Sequence, residues 1–407
     1  MTESAGAERD AGPPLPLQAM RVLDVCQVMA GPFCCMLLAD LGADVIKVEP
    51  PDGGDQARRA MGFKLKGDDS LGFLNMNRNK RSIALDLKSE AGRKAFLRLA
   101  ETADVIVENY RPGAMKKLGV DYEAVRAVNP AIIYASISGF GQTGPWADRP
   151  GFDLIAQGAS GVISVTGDPA GAPARAGVPV TDIGCSLFTL YAILAAYIGR
   201  GATGLGQYID ASLYEAGIAF AIWDISEYWG TGRVPGRLGT ANRMAAPYEA
   251  VRAKDGFFVI GANNDRLWLR LCEAIERPDL NANPKYKANA DRLANRAALA
   301  HDLEKTFVTR NREDWVALLL AAGVPAGPIS DYAEVFASDH AKAREMKMTI
   351  AHPVEGAIPN IGFPVKLRGT PQQVRRPPPL LGEHNDEIFA ELGIADSERR
   401  LATGGGR

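Results

Sequence analysis

Two acids stand out in a stretch of otherwise small residues. SVTGDPAGAPARAGVPVTDIG (164–184) is mostly Gly, Ala, Pro and Val, yet it carries Asp168 and Asp182 with Arg175 between them. Isolated carboxylates in so apolar a small-residue setting raise the question of a chemical role. Each acid also has a structural reading. Asp182 stands where the N-cap of a following apolar helix belongs, and capping would explain it fully. Asp153, in GFDLIAQGASG, can cap in the same way. Asp168 follows Gly167 at a strand-to-loop break, where Asp-Pro is also a turn dipeptide.

Cations gather in two places. NMNRNKRSIALDLK (75–88) carries Arg78, Lys80, Arg81 and Lys88, and NYRPGAMKKLG (109–119) adds Arg111, Lys116 and Lys117. At the carboxyl ends of parallel strands such residues face a binding crevice and suit a polyphosphate. A solvated charged face is the alternative. GFGQTG (139–144) has the GxGxxG form, but Pro145 and Trp146 follow where a dinucleotide-binding helix would open. A tight turn is expected there rather than an NAD site, although Glu49 mimics a ribose-binding acid. There is no GxxxxGK[ST] and no GxSxG, and all four histidines (His301, His340, His352, His384) lie in the last third. ATP-driven and Ser/His/Asp chemistries therefore lack their parts.

Five cysteines without a CxxC predict reduced thiols of a cytoplasmic protein, with no metal site and no disulfide framework. Lys and Arg total 46 against 48 Asp and Glu, so no net field favours nucleic acid or a membrane surface. The apolar run LFTLYAILAAYIG (187–199) is too short to span a bilayer and reads as a buried helix.

The elements that must position these residues alternate. MRVLDV, DVIKVEP, SIALDL, ADVIVENY, AIIYASISGFG and QYIDASL read as strands, separated by helical segments, as in a parallel sheet with helices on both faces. GTGRVPGRLGTANRM (230–244) shifts toward Gly and Arg as a linker does. YEAVRAKDGFFVIGA then reads as a hairpin turning at Asp255-Gly256. The expected organisation is a flexible leader (1–18), a large domain (19–225), a linker (226–240) and a small α+β domain (241–325). A return to the large domain (326–395) and a flexible tail (396–407) complete it.

Several ordered stretches together resemble the family III CoA-transferases, a group with α-methylacyl-CoA racemases as relatives. They are VLDVCQVMAGPFCCMLLADLGADVIKVEPP, NRNKRSIALDLK, ADVIVENYRPGAMKKLG, SISGFGQTGP, GFDLIAQGASGVISVTG, GRGATGLGQYIDASL, AGVPAGPI and PLLGEHNDEI, covering roughly residues 19 to 395. The resemblance implies an α/β fold: a Rossmann-like large domain with a parallel sheet, plus a smaller α+β domain, in an interlocked homodimer. It implies coenzyme A or acyl-CoA as substrate, held by Met29, Ala30, Leu85, Lys88, Asn109, Tyr110, Arg111 and Lys117, with a carboxylic acid as acceptor and no permanent cofactor.

It also implies an aspartate nucleophile in the loop after SVTG. Many members read G-x-x-D-G-x-P there, which falls on Ala170; Asp168, two residues earlier, is the segment's only acid and takes the role here. Pro50 and Ser138 replace basic residues that contact CoA in some members. The racemases pair an aspartate matching Asp182 with a histidine whose position is Phe152 here, so a two-base proton exchange lacks one base. A racemase-like isomerase and a non-catalytic CoA-ester-binding protein are the alternatives.

Overall fold

A computed structural model describes residues 14–60 and 62–404. β1 (Arg21–Val25), β2 (Asp44–Glu49), β3 (Lys80–Ala84), β4 (Val105–Glu108), β5 (Ile133–Ser138) and β6 (Tyr208–Ser212) form one sheet in the order β3-β2-β1-β4-β5-β6. Every pairing in it is parallel. Helices cover both faces, and strand residues sort by parity as a pleated sheet requires. Val22, Val45, Val105, Val107, Ile133 and Ile137 pack on one side against the helices Ala30–Asp40 and Val180–Thr203. Leu23, Val25, Ile46, Val48, Ile83 and Ile106 pack on the other, against the helix Glu90–Glu101. Burying each such side chain contributes roughly 1.5–3 kcal/mol. Ser89 starts the helix Glu90–Glu101 by accepting the Gly92 N–H at 2.9 Å.

Two compact units divide the chain. The larger holds residues up to Val162, Ala176–Ile222 and the chain from Lys342 onward. The smaller holds Ile163–Arg175 and Trp223–Ala341. Its antiparallel sheet orders β7 (Tyr248–Arg252), β8 (Phe257–Gly261) and β9 (Ala326–Pro328), with β7 and β8 joined at Asp255-Gly256. Phe258, Trp268, Phe307 and Trp315 fill its core. Two boundaries thus fall elsewhere than expected. AGVPAGPI supplies β9, which pairs with β8, so the smaller unit runs on past 325. The Asp168 loop also belongs to that unit.

Only parts of the expected leader and tail are among the described residues, and those parts are packed. Residues 1–13 and 405–407 lie outside the described residues. Leu17, though, is buried and donates its N–H to Leu41 O at 3.0 Å. Asp396–Ala402 form a helix whose buried Ala402 accepts the Asp86 N–H at 2.8 Å. The apolar run at 187–199 is also part of a longer helix than its own length suggested. Val180–Thr203 spans 24 residues, which by length and composition is enough to cross a membrane. Thr181, Cys185, Thr189, Ile193 and Ala196 bury one stripe of it, while Leu187, Tyr191 and Ile198 stay exposed.

Candidate active site

Successive strands run outward from β1 through β2 to β3, then restart on its other side at β4. The carboxyl ends of β1 and β4 therefore flank the point where strand order reverses, the usual ligand crevice of an open α/β sheet. A crevice of about 340 Å³ opens there. Met29 and Ala30 line it from the turn after β1, and Asn109, Tyr110 and Arg111 from the turn after β4. Ser138 ends β5 and Gly139 follows it, and Arg149, Phe152 and Asp182 complete the wall.

These residues have distinct tasks. The Asn109 amide accepts the Gln27 N–H at 2.8 Å and donates to Gln27 O at 2.7 Å, so it is spent on the facing turn. Tyr110 Oη accepts from Gln27 Nε2 at 2.9 Å, and burial pushes its pKa up. Its N–H donates to Glu108 at 2.8 Å, a carboxylate that burial pushes to about 7. Arg111 is exposed and forms no ion pair among the described residues. Arg149 lies over the Trp146 ring, 4.4 Å from its centroid. Two guanidinium groups thus line a crevice in which Asp182 is the only acid.

Leu85, Lys88 and Lys117 are not in this wall. Leu85 is buried in the core at the end of β3, its N–H donating to Glu49 O at 2.8 Å. Lys88 and Lys117 are exposed.

The cations at 78–81 do not face a ligand. Arg78 makes a fork to Asp40 at 2.6 and 3.0 Å. Lys80 donates to Asp24, Pro32 O and Asn77, each at 2.8 Å. Arg81 pairs with Asp44, Glu387 and Glu391. These side chains lie before or at the start of β3, the opposite end of the strand from the crevice, and their buried charges are matched by acids instead of phosphate. Glu49 is likewise occupied. Arg58 grips its two oxygens at 2.7 Å each. Burial opposes the Glu49 charge, but Arg58 and Lys47 outweigh it and hold the carboxyl below its usual range.

GFGQTG forms a turn, as its Pro-Trp sequel predicts. Gly141 and Gly144 take φ of 88° and 86°, and Gln142 N–H donates to both Asp210 oxygens at 3.0 and 3.1 Å. The next helix begins only at Asp153.

The long helix is capped differently from expectation. Its N-cap is Pro179, and Asp182 lies inside the first turn without a capping bond. Asp153 does the capping, from the neighbouring helix Asp153–Ala159. It accepts the Thr181 N–H at 3.0 Å and the Thr181 hydroxyl at 2.7 Å, and Gln157 donates to its other oxygen at 2.7 Å. Asp182 is left free to face the crevice. Burial, with Asp153 adding repulsion, pushes its pKa up to about 7.

Asp168 stands in the smaller unit. Gly167, at φ 112°, turns the chain, and Asp168 is exposed with Oδ1 accepting the Ala170 N–H at 2.8 Å. Arg237 brackets the turn, donating to Asp168 O at 3.0 Å and Gly171 O at 2.7 Å. Gly239 N–H donates to Gly167 O at 2.9 Å. The Arg237 guanidinium is thereby engaged by backbone. Arg149 and Gln27 went unnoticed in the sequence. Only their closeness to GFD and to Met29 signalled them.

The model of CoA-transferase family III matches residues 17–385. The human succinyl-CoA:glutarate CoA-transferase is 39% identical over 377 residues, 93% of this chain and 86% of that protein. The acetyl-CoA:oxalate CoA-transferase of Acetobacter aceti is 38% identical, over 98% of this chain and 100% of its own. A solved CAIB/BAIF family protein from Brucella suis superimposes with a TM-score of 0.83 at 38% identity, covering 93% of this chain and 100% of that one. With a matching sheet, a crevice at its reversal point and similarity along nearly the whole length, the chain belongs to the family III CoA-transferases.

Proposed function

We propose that this enzyme moves CoA between two carboxylic acids through covalent intermediates on Asp168. For CoA binding the carrying observation is the crevice at the sheet's reversal point, where Met29, Ala30, Asn109, Tyr110 and Arg111 converge and two guanidinium groups with no ion pair among the described residues suit the phosphates of CoA. Relatives act on short dicarboxylic acids by name, succinate, glutarate and oxalate among them, which supports such acids as donor and acceptor. Lys88 and Lys117 are assigned to CoA with less structural support, being outside the crevice lining.

In the proposed sequence an Asp168 oxygen attacks the donor thioester carbonyl, the C–S bond breaks, and CoA leaves as its thiolate. The thiolate attacks the aspartyl carbonyl of the mixed anhydride, releasing the donor acid as carboxylate and leaving an aspartyl–CoA thioester. The acceptor carboxylate attacks that thioester and expels the thiolate once more. The thiolate then takes the acyl group, freeing Asp168. One thioester replaces another, and protons balance without an external base. An interlocked homodimer working in the cytoplasm belongs to the same proposal; the exposed apolar residues Tyr191, Ile198, Phe220 and Ile222 support a partner surface.

One observation favours a second reading. Asp182 in the crevice, its pKa pushed up to about 7 by burial, can take up or release a proton near neutral pH, as a base for an acyl α-carbon must. The lining residues include no histidine to work opposite it, though Phe152 is among them.

Intact-protein and peptide mass spectrometry after mixing with succinyl-CoA, with hydroxylamine or borohydride trapping, separates the readings. An adduct on the peptide containing Asp168, lost in Asp168→Asn, is expected. An adduct retained in that variant would move the nucleophile elsewhere. Exchange of an acyl α-proton with deuterated solvent, without any adduct, would favour the isomerase.

A further inference from the structure

Part of the crevice wall is held in a backbone conformation that its own side chain resists. Val28, between Gln27 and Met29 in the lining, has φ 67°. A β-branched residue in the left-handed region is a steric outlier. The other non-glycine residues at positive φ among those described are Asn79, Glu276 and Glu345, none of them β-branched.

Three side chains, from separate parts of the sheet edge, fasten the backbone on either side. Lys47 Nζ donates to Cys26 O at 2.9 Å. Asn109 holds both the N–H and the C=O of Gln27. Asp55 Oδ1 accepts the Val28 N–H itself at 2.9 Å. Asp55 is fixed in turn: the same oxygen accepts the Ala57 N–H at 2.9 Å, and the other lies 2.9 Å from Lys47 Nζ. Its own N–H donates to Glu49 at 3.0 Å. Asp24, Lys47 and Asp55 are all almost wholly buried, and Lys80 completes the charge balance on Asp24 at 2.8 Å. Strained backbone persists only where surroundings over-determine it, and it collects where a site is made ready before its ligand arrives.

We propose that Asp55 is a positioning residue for CoA binding, holding Val28 in its left-handed conformation so that Gln27, Met29 and Ala30 present a preformed wall to the ligand. Asp55 does not itself line the crevice; it acts through the Val28 N–H. Without it, Val28 relaxes toward ordinary φ and the wall must be rebuilt on binding, at the expense of affinity. The inference rests on CoA occupying this crevice, as proposed above.

The test is a double-mutant cycle read by calorimetric titration of the full-length protein with CoA. Asp55→Ala is expected to weaken CoA binding about tenfold, the usual scale of a lost preorganising contact. Adding Val28→Gly to that variant is expected to recover at least about threefold, because glycine takes positive φ without strain and needs no clamp. A purely structural role for Asp55 predicts no recovery, since Val28→Gly only removes more packing. Should Asp55→Ala fail to fold, Asn109→Ala removes a clamp without stranding a buried charge, and the same rescue by Val28→Gly is expected. Unaltered affinity in the single clamp variant, or a double variant no better than it, overturns the inference. If the wild-type protein does not bind CoA, the crevice assignment fails first and takes this inference with it.

Discussion

Asp182 titrates near neutral pH, at about 7, because the fold places its carboxyl where burial and Asp153 both oppose ionisation. Its folded pKa, about 7, stands above the value near 4 of an unfolded aspartate. Between those values the native state binds the extra proton, so stability falls as pH rises toward 7 and is level beyond it. Asp182→Asn removes that dependence. The variant is expected to gain stability over wild type progressively from pH 5 to pH 7, by on the order of 2 kcal/mol. Urea unfolding of both proteins at pH 5 and pH 8 checks it, and an equal difference at the two pH values would refute the assignment. The sequence showed Asp182 and a helix beginning beside it, and the cap was the natural inference. Which of two nearby aspartates does the capping depends on how two helices pack, and that is not a local property. Asp168 was legible as an isolated acid in a small-residue turn. Its bracket, Arg237, lies too far along the chain for spacing to reveal.

Elements follow the same division. The strands and the turn at Asp255-Gly256 were readable, because periodicity and turn residues are encoded within a few residues. Where the cations pointed was not. Arg78, Lys80 and Arg81 look alike in sequence whether they precede a strand or end one facing phosphate, and only the sheet showed them meeting Asp40, Asp24 and Asp44. The N-terminus of the long helix gives a direct test at this scale. Asp153 satisfies its Thr181 N–H from outside, so Asp153→Ala is expected to cost about 1–2 kcal/mol. Asp153→Asn, which retains an acceptor, is expected to cost less than half of that. Chemical denaturation of the two variants at one pH compares them directly; equal losses would show that the charge and not the cap is what matters.

For the whole molecule, the consequence concerns assembly. The helix Val180–Thr203 buries one stripe on the sheet and leaves Leu187, Tyr191 and Ile198 exposed, as Phe220, Ile222 and Trp223 also are. Exposed apolar residues of this kind are what the proposed interlocked pair would cover. An interlocked pair makes a sharper prediction than an ordinary dimer. Two differently tagged preparations, each purified and then mixed, are expected to show no subunit exchange over days by native mass spectrometry, and full exchange only after joint unfolding and refolding. Exchange within hours, or a monomer on sedimentation, would exclude interlocking. By itself the sequence determined the alternation of strand and helix, the turn at Asp255-Gly256, the small-residue setting of Asp168 and the family resemblance, since each resides in short contiguous patterns. Tertiary structure alone decided that Arg78, Lys80 and Arg81 are internal counter-ions, that Asp153 caps a helix distant in sequence, and that Asp55 clamps a strained Val28. Those outcomes depend on which charges and backbone groups lose their water together, and burial is a property of the assembled sheet, not of any stretch of chain.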